Sequence, residues 1–144
     1  MKRFHEQWAI ISVLDPIDAN AVDSTGDEID LSKWDEIVVI ACAGVVAASS
    51  TLTLNFQASA TSGGGLTTVT GKTITGTATS DTFQYIMTVL PEEVVAQLGN
   101  TYRYAKVAYT FSAHSQLWTI IVLGRAKYSP LTADDLSTVQ TVID

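Results

Sequence analysis

Between Thr51 and Ala58 the chain alternates without a break: Leu52, Leu54, Phe56 and Ala58 interleave with Thr51, Thr53, Asn55 and Gln57. A period of two puts the four apolar side chains on one face of an extended strand and the four polar ones on the other, as in an antiparallel strand laid over a core. One such strand cannot stand alone, so the rest of the chain must supply partners and a second apolar layer.

Candidates are plentiful. Residues 8 to 14 read as a first strand, terminated by Asp15 and Pro16. The run 36 to 40, bounded by Ala41-Cys42-Ala43-Gly44, reads as a central strand, with Cys42 as a small buried hydrophobe. From Leu66 to Thr79 threonine dominates, and Gly71 and Gly76 predict a turn and a bulge in one or two exposed strands. Residues 83 to 90 align Phe83, Tyr85, Met87 and Val89 on one face. Strands over 102 to 111 and 117 to 124, with a short polar connection, predict a hairpin. Aromatic side chains occur on both faces of the first of these, so one face is expected to be covered by another layer or a subunit.

Only one internal segment carries helix signals: Pro91 at the start, Glu92 and Glu93 in the first turn, Gly99 at the stop. No strand is followed by a full amphipathic crossover helix, which argues against a parallel α/β sheet. The fold expected is all-β, an antiparallel, jelly-roll-like β-sandwich with one short helical turn. Residues 1 to 130 are expected to form the single domain, and 131 to 144 a C-terminal arm or short helix with Thr132 as cap. At 144 residues, about two-thirds of the extended-chain surface is buried on folding, enough for a core without metals or disulfides.

Chemistry is harder to find. Two histidines, His5 and His114, and the single Cys42 supply no zinc-ligand spacing. The acidic stretch Asp23, Asp27, Glu28 and Asp30 lacks the spacing of a helix-flanked calcium loop and reads as a solvated loop. Gly63-Gly64-Gly65 has no following Gly-Lys-Ser/Thr, and Ser62 lacks a nucleophile elbow, so this stretch reads as a flexible connector. No catalytic residue, cofactor or metal ligand is assigned, and the expectation is a protein without enzymatic activity. The net charge of −7 opposes binding to nucleic acid or an anionic membrane. Neither a secretory leader nor a membrane span is legible at the N-terminus.

Charged residues make up only 16% of the chain against 47% apolar ones, so the surface is expected to be finished with Thr, Ser, Asn, Gln and Gly or partly covered by partners. The order Gly26-Asp27-Glu28-Ile29-Asp30-Leu31-Ser32-Lys33-Trp34-Asp35-Glu36-Ile37, then Thr51-Leu52-Thr53-Leu54, a Gly-rich loop, Tyr102-Arg103-Tyr104 and 123 to 130 resembles small virion proteins of tailed bacteriophages, including capsid decoration proteins. That resemblance implies a structural protein on the outer capsid surface, soluble in the host cytoplasm before assembly. Its implied partners are the major capsid protein and further copies of itself, a trimer being favoured. The terminal segments are the first candidates for contact, through Phe4, Trp8, Arg125, Tyr128, Pro130 and Leu136. An alternative is a carbohydrate- or host-surface-binding module of a fibre or adhesin, with Trp8, Trp34, Trp118 and the tyrosines as a stacking platform.

Overall fold

The computed structural model describes residues 7–18, 21–77, 84–112 and 116–127. Among these, nine strands and one α-helix follow in the order β1 (Trp8–Asp18), β2 (Asp23–Thr25), β3 (Ile29–Asp30), β4 (Trp34–Val46), β5 (Thr51–Ser59), β6 (Thr67–Thr77), β7 (Gln84–Val89), α1 (Pro91–Leu98), β8 (Tyr104–Phe111) and β9 (Gln116–Ala126). One sheet has the order β1-β9-β4-β7, and the other has β2-β8-β5-β6 with β3 also on β8. Every pairing is antiparallel. The pairing is nested: first strand with last, β2 and β3 with β8, β4 with β7, and β5 with β6 at the centre. That is the wrapping of a jelly-roll-like sandwich, the class expected from strands joined by loops rather than crossover helices.

The core lies between the sheets. Leu52, Leu54, Phe56 and Ala58 of β5 face Ile37, Val39 and Ala41 of β4 and Ile120 and Val122 of β9, all at most 2% exposed. An aromatic cluster joins the layers at one end: Tyr85 stacks on Trp118 at 6.3 Å, and Trp118 meets Phe111 at 5.8 Å. Gly124 faces inward because the Trp34 ring lies over it; a Cβ there would sit 2.6 Å from the ring.

Local sequence and structure agree closely at α1. Pro91 opens the helix, Glu93 accepts a hydrogen bond from the Leu90 N–H at 2.9 Å, and Gly99 closes it at φ +105°. The helix plugs the end of the sandwich through Val94. It is held by β6, where residues 69 to 72 bulge between the pairs Asn55–Thr73 and Gln57–Thr68. Gly71 at φ +76° permits the bulge, and Lys72 reaches from it to Glu93 at 2.7 Å and to the Thr88 carbonyl at 2.8 Å.

Several expectations are corrected. Strands 102–111 and 117–124 form no hairpin: β8 and β9 belong to opposite sheets. Two consecutive amphipathic strands look alike whether they pair or cross between layers, and nested pairing makes this connection cross. The crossing is built from Gln116, fully buried, whose Nε2 donates to the Ser112 carbonyl and whose Oε1 accepts from Trp118 Nε1 at 2.8 Å. The first strand does not stop at Pro16 but runs on to Asp18 with an irregular register, which an edge strand tolerates. The acidic stretch is not all loop, since β2 and β3 pair with β8. Cys42 is only partly buried and lies on the outer side of β4. The segment 131–144 lies outside the described residues.

Candidate functional site: the two outer faces

With both inner faces given to the core, any interaction surface must come from the outer faces, the edges or the loops. On the five-stranded sheet the outer face is polar and hydrogen-bonded to itself. The row Asp23–Thr110–Thr53–Thr75 crosses four strands, followed by Thr25–Ala108–Asn55–Thr73. Thr73 Oγ1 donates to Asn55 Oδ1 at 2.8 Å, Thr110 Oγ1 to Asp23 Oδ1 at 3.0 Å, and Gln57 Nε2 to Thr68 Oγ1 at 3.1 Å. Such pairs stabilise the sheet sideways and leave a surface that water wets.

The four-stranded sheet presents the opposite chemistry. Its central outer row is Val13–Ile121–Ile40–Ile86, continuous across all four strands. The adjacent row is Ile10–Leu123–Val38–Thr88, and Thr119–Cys42–Gln84 lies on the other side. These aliphatic side chains belong neither to the core cluster nor to the residues packed against it. Ile86 is 64% exposed, and Leu117 and Val45, further along, are 44% and 67% exposed. No charged residue falls within the three rows. Charges stand at its borders: the Arg125–Glu36 pair, 3.5 Å apart, at one end, and Lys72, whose Nζ donates to the Thr88 carbonyl at 2.8 Å, at the β7 edge.

Of the six contact residues chosen from the sequence, two are described. Trp8 and Arg125 are direct cross-strand partners on β1 and β9, and Glu36 is Arg125's neighbour on the other side. They form the polar end of the aliphatic face. Phe4, Tyr128, Pro130 and Leu136 lie outside the described residues. Ile10, Val13, Val38, Ile40, Ile86, Ile121 and Leu123 escaped selection; four of them lie in the runs 37–42 and 120–123, which are continuously apolar. The absence of alternation was the available signal, marking strands with two apolar faces.

The acids of 23–30 point to separate partners. Asp30 accepts from Arg103 Nε at 2.8 Å and Nη2 at 2.7 Å and from Ser32 N and Oγ; Arg103, above all, holds its carboxyl well below the usual range. Glu28 accepts from Ser62 Oγ at 2.6 Å and Gly63 N at 2.7 Å, and these bonds lower its pKa, Ser62 first. The Gly-rich connector is therefore pinned to β3's approach rather than loose. Among the described residues no three His, Cys, Asp or Glu side chains converge as a metal site. The aromatics expected for sugar stacking are mostly internal: Trp34, Trp118 and Tyr109 are buried, and Tyr85 and Tyr102 pack against the core. Searches of family models, curated proteins and solved structures return no match to this chain.

Proposed function

We propose that the protein is a structural assembly module, a virion component of the capsid-decoration type that works by broad surface contact with protein. The observation that carries the assembly part is the uncharged aliphatic face of the four-stranded sheet, ordered into rows across four strands while the opposite face is finished for water. A contiguous apolar patch on an outer sheet face supports this reading, because such patches are often functional contact surfaces. The virion setting draws on the sequence likeness alone, because jelly rolls serve both capsid and lectin functions and the fold does not choose between them. Incubation with purified tailed-phage capsids, before and after expansion, followed by electron microscopy tests the proposal. Saturable decoration of a shell is expected, and failure to decorate either form contradicts it.

A further inference from the structure

We infer that the partner seated on this aliphatic face is a second copy of the same chain, the two four-stranded sheets packing face to face about a two-fold axis near Ile40 and Ile121. The inference deepens the assembly reading by naming a partner, and it rests on that reading only for the claim that the face is used.

Three observations select a second copy. The first is charge. The chain carries −7, and a partner bearing the same field is repelled unless the contact excludes charge. The rows from Val13 to Ile86 and Ile10 to Thr88 contain none, so two copies meet here without juxtaposing like charges. The second is area. Four strands about 4.8 Å apart and some seven residues long at about 3.3 Å each make a patch of roughly 400 Å² in projection. Two such patches bury on the order of 1,000 Å² of accessible surface, where specific interfaces begin. The third is shape. Val13, Ile121, Ile40 and Ile86 form one continuous aliphatic row, backed on one side by Ile10, Leu123 and Val38 and falling on the other to Thr119, Cys42 and Gln84. A ridge of this kind packs against its own two-fold copy as sheets do in a sandwich, and an isologous contact closes without leaving a free face to polymerise.

Cys42 lies in the row next to Ile40, partly buried on the same face, and is the chain's only thiol. Its reactivity therefore reports whether the face is covered.

The test uses the full chain, with native mass spectrometry and sedimentation from about 1 to about 100 µM and maleimide labelling of Cys42. The expected result is a concentration-dependent dimer in which labelling slows as the dimer fills. Ile121→Glu weakens it by roughly 100-fold or more, because each copy would bury an unpaired carboxylate. Ile86→Glu, on the exposed edge strand, gives a second disruption should Ile121→Glu fail to fold. Thr53→Glu on the opposite sheet leaves the dimer unchanged. A trimer overturns the two-fold pairing. A monomer with protected Cys42 overturns it in favour of coverage by the chain's own residues. A monomer with reactive Cys42 that binds capsids, and loses that binding on Ile121→Glu, overturns self-pairing while leaving the assembly reading intact; one that binds no capsid overturns both.

Discussion

The two outer faces of this sandwich are built on the same plan with opposite chemistry. Across one sheet runs Asp23–Thr110–Thr53–Thr75, and across the other Val13–Ile121–Ile40–Ile86. The inner faces do not differ in this way; both are apolar and both are buried. Folding of the single chain therefore accounts for the inner faces and leaves the outer ones to be explained by what lies beyond them. Threonine offers a sheet the same β-branched shape as valine with a hydroxyl that bonds to neighbours or water. Where valine and isoleucine stand instead, most are already half-buried by their neighbours in the sheet, and covering them would add only part of the about 1.5–3 kcal/mol that full burial of such a side chain contributes.

The largest effect separates inside from outside. Phe56→Ala, in the fully buried centre of β5, is expected to cost about 3–5 kcal/mol in urea unfolding. Ile121→Ala, at concentrations where the chain is monomeric, removes a side chain that is only half-buried and is expected to cost about 1–1.5 kcal/mol, well below Phe56. A cost at Ile121 comparable to Phe56 would mean that the outer face is already covered within one chain. Next, Gly124→Ala drives a methyl group toward the Trp34 ring and is expected to cost about 1–3 kcal/mol, measured the same way. A neutral substitution would show that the ring has room to yield.

Exchanging the faces' chemistry sharpens the comparison further. Thr53→Ile with Thr75→Ile, a cross-strand pair, gives the polar sheet a fragment of the aliphatic row. Monomer stability is expected to change by about 0.5–1 kcal/mol at most, while light scattering reports new self-association. If size is unaltered, two isoleucines are too few to make a contact face. The smallest effect concerns pH. Because Arg103 holds Asp30 below its unfolded value, the Asp30 contribution is complete above roughly pH 4 and is lost as pH falls further. Asp30→Asn is expected to flatten this part of the acid limb in thermal melts; an unchanged limb would assign acid sensitivity to Glu28 and Glu93, whose carboxyls are also lowered by hydrogen bonds.

What the sequence made legible was local. The alternation of Leu52, Leu54, Phe56 and Ala58 is reproduced residue by residue, and α1 begins at Pro91 and ends before Gly99. Both rest on signals within one turn or one strand. The pairing of β8 and β9 was not legible, because sheet membership is decided by β1 and β4 closing on β9 from far along the chain. Glu28 holding the Ser62–Gly63 turn is likewise a long-range bond that spacing does not announce. The aliphatic outer face was half legible. Trp8 and Arg125 mark its rim, yet its substance became visible only when register set Ile40 between Ile121 and Ile86.

The most direct measurement compares one charge on each outer face at equal protein concentration: Ile40→Glu on the aliphatic sheet and Thr53→Glu on the polar one, each followed by sedimentation velocity beside the unsubstituted chain. The account predicts that Thr53→Glu sediments as the parent does, while Ile40→Glu sediments as a monomer with the parent's circular dichroism. Equal sedimentation of all three would contradict it.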